Sequence, residues 1–238
     1  MADVLEPAEK VMTPLLQDAA GIGDPVYKRV RELIRQDIFS GYFEPGTRIK
    51  TAVLGARYGV SQMPIREALQ QLQGEGLVII APNRGASVRT IDADFIRNIY
   101  DIRTALQAMM VRRSVQTVTE ADMHALHAIE ARFEDAARRR DTDAILAANK
   151  ELHDATYRLA GNPEAVEVIA RHSELLVSLR RRFDYGTGRL EEIVSEHRQL
   201  LAAFAQRDAS LAASVIERHC EGAKADLLSQ AGFTGASN

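Results

Sequence analysis

The chain has 238 residues, 46% hydrophobic and 26% charged, enough to bury a sizeable core and unlike a disordered or fibrous sequence. A single cysteine, Cys220, excludes an intrachain disulfide framework; no apolar run approaches the ~18 residues of a bilayer span, and the acidic start lacks an export signal, so a cytoplasmic protein without a membrane partner is expected. The formal charge of −3 argues against nucleic acid only until it is located, because residues 24–90 hold ten Lys plus Arg against six Asp plus Glu while the flanking segments are net negative.

Residues 1–23, with Pro7, Pro14 and a "GIG" break, read as a flexible arm. In "DPVYKRVRELIRQDIFSG", Asp24 is placed to cap a helix and Pro25 to sit in its first turn, with Val26, Val30, Leu33, Ile34 and Ile38 at helical spacing. "FEPG" ends it, and a second short helix covers about 51–58. Gly59 bends the chain into a third, 62 to about 73, where Ser61 is placed to cap and Ile65, Leu69 and Leu72 turn inward. Gln62, Met63 and Arg66 stay at its exposed start. "GEGLVIIAPNRGASVR" then supplies two strands, 77–80 and 86–89, joined through Pro82, Asn83 and Gly85. Residues 24–90 therefore read as a winged helix-turn-helix.

Such a module places the first turn of its third helix in the major groove of double-stranded DNA. Arg66 suits a bidentate base contact or a phosphate clamp, and Gln62 offers donor and acceptor to adenine. Arg48, Lys50 and Arg57 are phosphate partners in the preceding elements, and in the wing Arg84 supplies charge where Gly85 permits close approach. Taken singly, each polar residue is equally well a solvated surface site; their convergence on one module favours DNA.

From Ile91 the pattern becomes amphipathic helices over about 92–115, 120–140, 142–160, 164–184, 189–206 and 208–229, with "RRRDTD", "AGNP", "DYGTG" and "QRD" as breaks. The fold class is mainly α: the winged module followed by a six- or seven-helix bundle over 91–229, and a flexible tail from 230 to 238. Arginine runs at 138–140 and 180–182 fall at helix ends, where terminal carbonyls account for them. Asn149 and His153 share a helix face, and His197 and His219 lie on later helices. Spacing alone leaves open whether these imidazoles share a cavity or hold separate core and surface positions.

"YGVSQMPIREALQQLQGEGLV" with "PNRGASV" is similar to the DNA-binding domain of GntR-family bacterial transcription regulators, and the helical remainder resembles the FadR-like branch with an FCD effector-binding domain. The resemblance spans about 24–229 and implies a homodimer on a palindromic operator, commonly a repressor released by a small organic acid. Arg66 and Gly85 match the family motif, whereas Ala52, Gln62 and Met63 stand where it usually has arginine, arginine and threonine. In the bundle the resemblance implies a divalent metal of the Zn or Ni kind on Asn149, His153, His197 and His219, Asn149 replacing an aspartate. It also implies an acid-binding pocket with Arg103, and Tyr100, Arg158 and Asn162 are further cavity residues. Two alternatives stand beside this reading. A metal-dependent enzyme using the histidine cluster lacks a recognisable nucleophile arrangement or cofactor loop, and an architectural DNA-binding protein with a structural helical domain would bind DNA regardless of any effector. The expectation is a ligand-responsive transcription regulator, not an enzyme.

Overall fold

The computed structural model describes residues 25–81 and 85–233, so the N-terminal arm, Asp24, the wing tip with Arg84, and the end of the tail lie outside the described residues. The described chain divides after Thr90 into two compact units.

The first unit contains α1 (Val26–Phe39), β1 (Arg48–Ile49), α2 (Thr51–Tyr58), α3 (Gln62–Gly74), β2 (Val78–Ala81) and β3 (Gly85–Val88). Val30, Ile34 and Ile38 of α1, Leu54 and Tyr58 of α2, and Ile65, Leu69 and Leu72 of α3 are buried, as the helical apolar spacing implies, whereas Leu33 is partly buried and Val26, at the first turn of α1, is exposed. Gly59 caps α2 in the left-handed region at φ 69°, which turns the chain into α3. Ser61 holds the N-cap position of α3 without a side-chain hydrogen bond, and Pro25, expected inside α1, is its N-cap. In the wing, β2 and β3 pair antiparallel with Val78 opposite Val88 and Ala81 opposite Gly85. A third strand that the sequence reading lacks, β1, pairs on the other side of β3, giving the order β1-β3-β2. Two residues are too few to show alternation; backbone bonds from Gly46 N to Val88 O and from Val88 N to Thr47 O fix the pairing.

The second unit is all helical: α4 (Ala93–Thr117), α5 (Glu120–Arg139), α6 (Thr142–Arg158), α7 (Pro163–Ala170), α8 (Ser173–Phe183), α9 (Arg189–Ala205) and α10 (Ala209–Gln230). Polar caps start most of them. Asp92 accepts from Phe95 N, Thr119 and Asp122 form a reciprocal capping box, and Asp141, Asn162 and Asp208 cap α6, α7 and α10. Helix α10 packs on α4 and α9, and α5 packs on α6 and α9. The one helix expected over 164–184 is two, broken at Arg171 and His172 with neither glycine nor proline present. The cause is tertiary: the Ile169 carbonyl accepts from Arg103 Nη1 at 2.7 Å and from Ser173 Oγ at 3.0 Å. An α-helical bond from Ser173 N is thereby replaced by donors from outside the backbone ladder. Among the described residues, no helix is long and apolar enough to cross a membrane.

Candidate functional site

Because Ile65, Leu69 and Leu72 face the core, the opposite side of α3 presents Gln62, Met63 and Arg66 to solvent, and Met63 is 72% exposed. A groove lined by Arg48, Lys50, Thr51, Arg66, Gln70 and Gly85 joins the start of α2, the middle of α3 and the wing. Arg48, Lys50 and Arg66 are exposed along it. Gly85 is left-handed at φ 78°, and the Arg48 guanidinium lies 3.7–3.8 Å from where a Cβ would stand. This surface combines a helix tip, cations and a strand edge, the requirements for reading a duplex.

Arg57 departs from its expected role. Its Nε and Nη2 donate to Asp37 at 2.5 and 2.8 Å, Tyr58 OH donates to the same carboxylate at 2.6 Å, and the guanidinium lies over the Tyr42 ring at 3.7 Å. The hydrogen bonds from Arg57 to Asp37 raise its pKa further. Arg57 therefore ties α2 to α1 and is not presented to phosphate. Arg84 belongs to the wing tip outside the described residues.

In the helical unit, α6 carries Asn149 and His153 one turn apart, α9 carries His197, and α10 carries His219. A ring nitrogen from each histidine lies within 4.8 Å of the other two, and the ring centroids are 5.2–5.6 Å apart. Each Nδ1 is engaged from behind. That of His197 lies 2.8 Å from Glu130 Oε2, that of His219 lies 2.8 Å from Glu196 Oε2, and that of His153 lies 3.1 Å from Tyr157 OH. His197 Nε2 is buried with no hydrogen-bond partner.

Burial pushes His197 and His219 down to about 4 against the opposing pull of Glu196, and burial with the positive potential of its neighbours holds His153 well below its ordinary value. All three are neutral imidazoles at neutral pH, the form that binds metal. Glu196, although burial raises it, is held at about 2 by hydrogen bonds from His219 and Arg189. Burial pushes the Glu130 carboxyl up to about 8. Three neutral nitrogens, one of them an orphan, with acidic side chains behind two of the rings, fit a divalent cation of imidazole preference. The carboxylates and Arg189 are the residues that sequence reasoning missed. Glu196 adjoins His197 in the chain, but it supports His219.

A cavity of about 120 Å³ opens beside the imidazoles and is lined by Tyr100, Arg103, Asn149, His153 and His219, with Tyr157, Ser173 and Arg180. Arg103 Nη1 is engaged by the Ile169 carbonyl and, at 3.3 Å, by Ser173 Oγ. Arg180 is taken by Asp226 and by the carbonyls of Asp184 and Ala223. Two expected cavity residues lie elsewhere. Arg158 is exposed, about 140° around α6 from His153, and bonds the Asp154 carbonyl at 3.2 Å. Asn162 accepts from Ala165 N at 3.2 Å and caps α7.

Comparison with known proteins assigns each of the two units to a family. Residues 26–88 match the family described as bacterial regulatory proteins, gntR family, and residues 98–222 match the FCD domain. The chain is 28% identical over 201 residues to the uncharacterized HTH-type transcriptional regulator YdhC of Bacillus subtilis, covering 82% of this chain and 88% of that one. It is 25% identical over 198 residues to the HTH-type transcriptional repressor RspR of Escherichia coli, covering 83% and 86%. The solved structure of Lar from Listeria monocytogenes superposes with a TM-score of 0.68 at 18% identity, covering 87% of this chain and 98% of that one, a likeness of fold.

Proposed function

We propose, from the premise that the chain belongs to the GntR/FCD family of bacterial transcriptional regulators, that it is a repressor released from its operator when a carboxylate-bearing metabolite binds beside a divalent metal. The chain is a DNA-binding regulator and not an enzyme, which sets aside the alternative of a metal-dependent enzyme using the histidine cluster. The observation that carries the finer reading is the clustering of three neutral imidazoles, two of which, His153 and His219, line a cavity that Arg103 also lines. His153, His197 and His219 would hold the ion, with the Asn149 amide oxygen beside them. The ion supplies a Lewis-acidic anchor for a carboxylate oxygen, and Arg103 offers directed N–H donors to the same anion. Release follows only if the acid binds the DNA-free state more tightly than the DNA-bound state. That RspR is a repressor supports the sign of the response. A homodimer presenting two α3 helices about one helical turn apart would match a two-fold operator. In the DNA unit, Arg48, Lys50, Gln62, Met63, Arg66 and Gly85 form the contact surface in this reading.

Elemental analysis and metal titration of the parent and His197→Ala proteins test it, followed by operator binding with and without a panel of small carboxylic acids. We expect stoichiometric divalent metal in the parent, weaker binding in the variant, and acid-dependent release that the variant loses while its basal operator affinity survives. A metal-free parent after reconstitution, or the same metal affinity in both proteins, defeats the ligand set. An architectural DNA-binding protein would bind operator equally with every acid.

A further inference from the structure

We propose that Glu130 is a positioning residue for this centre, a carboxylate on Nδ1 of His197 that serves, through the imidazole, as counter-ion to the cation on Nε2. The inference rests on the metal reading above and deepens it. The clustered donors carry no charge, all three being imidazoles, and beside them in the cavity Asn149 is a neutral amide while Asp154 is paired with Lys150. Two carboxylates stand behind the imidazoles, and their surroundings differ.

Glu196 backs His219, but its charge is already matched, because Arg189 donates to both of its oxygens at 3.0 Å. Glu130 has no such partner. It is 4% exposed, its Oε2 lies on His197, its Oε1 is buried without a hydrogen-bond partner, and no Lys or Arg pairs with it among the described residues. The nearby Arg198 is held by Glu134 through two bonds of 2.7 and 2.8 Å. His197 is as isolated, 1% exposed and packed against Phe133 with ring centroids 4.7 Å apart. The pair is thus a buried acid–imidazole unit with an unsatisfied atom at each end.

Burying such a unit is costly, and a core with no other task would be better filled by apolar side chains. A cation at Nε2 removes the anomaly. Nδ1–H then donates to the carboxylate, the tautomer is fixed with Nε2 as the ligand, and the nearby negative charge makes that nitrogen a stronger donor to metal. Glu130 supplies from behind the ring the charge that Asn149 does not supply in front.

Zn²⁺ titration of the full chain against a competing chelator tests the idea in the parent, Glu130→Gln and Glu130→Asp. Glu130→Gln should bind Zn²⁺ about tenfold to a hundredfold more weakly, with a metal-free melting temperature no lower than that of the parent. Glu130→Asp, which keeps the charge, should fall between the two. Equal Zn²⁺ affinity in parent and Glu130→Gln, or weaker binding by Glu130→Asp than by Glu130→Gln, overturns the role of Glu130 and leaves the metal reading standing. A parent that binds no Zn²⁺ overturns both. Should Glu130→Gln fail to fold, the nitrogen NMR signals of His197 in the Zn²⁺-loaded parent decide: a protonated Nδ1 supports the proposal, and an unprotonated one overturns it.

Discussion

Two arginines of the DNA unit show how little a residue's type says about its task. Arg57 and Arg66 both lie on helices of the same small module, yet Arg57 is spent on Asp37 and Tyr42 whereas Arg66 faces the open groove. Arg66→Ala should therefore weaken operator binding at fixed salt while shifting unfolding free energy by no more than about 0.5 kcal/mol. Arg57→Ala should do the reverse, lowering stability by about 1–3 kcal/mol because Asp37 loses its charged partner in a half-buried place. Urea unfolding and operator titration of both variants separate the roles, and a stability loss in Arg66→Ala with none in Arg57→Ala would reverse the assignment. From sequence, Arg57 reads as a phosphate partner and Arg66 as a base contact or phosphate clamp, since nothing local announces that Asp37 lies within reach of Arg57.

At the scale of elements, α10 contains a glycine in a helix interior, which costs about 1 kcal/mol relative to alanine unless something requires it. The requirement is the Arg189 guanidinium: a Cβ on Gly222 would stand 2.6 Å from Nη1 and 2.8 Å from the central carbon. That guanidinium also bonds Glu192, Glu196 and the His219 carbonyl, so it has little room to yield. Gly222→Ala should lower the melting temperature, the clash of about 1–3 kcal/mol exceeding the gain in helix propensity. A raised melting temperature would show that Arg189 can move aside. Helix positions, the inward faces of α1 and α3, and the wing were legible because caps and apolar periodicity are local signals. The α7–α8 break and β1 were not, because each is made by partners distant in the chain. The histidine constellation was legible only through family resemblance, and its support was hidden: Glu130 stands 67 residues from His197.

For the molecule as a whole, the buried histidines couple stability to pH. In the unfolded chain each titrates near ~6.5, whereas in the fold His197 and His219 titrate at about 4 and His153 well below its ordinary value. Between those limits the unfolded state binds more protons, so the metal-free protein should keep this stability above about 6.5 and lose it as pH falls toward 4. Glu130, raised to about 8, opposes the trend with one proton held by the fold, against three taken up by the unfolded histidines. Denaturant unfolding from pH 7 to 4 measures the slope, and a flat profile would contradict the burial of the cluster.

The division after Thr90 has a further implication. Only residues 89–92 separate the end of β3 from the start of α4; Arg89 N bonds the Leu77 carbonyl, and Asp92 caps α4 through Phe95 N. Thr90 and Ile91 carry neither of those ties. A chimera that grafts another DNA-binding unit onto this helical unit therefore has its seam dictated by hydrogen bonding: the joint belongs between those two residues, and moving it by two in either direction splits the partners of a bond that closes the wing or starts α4.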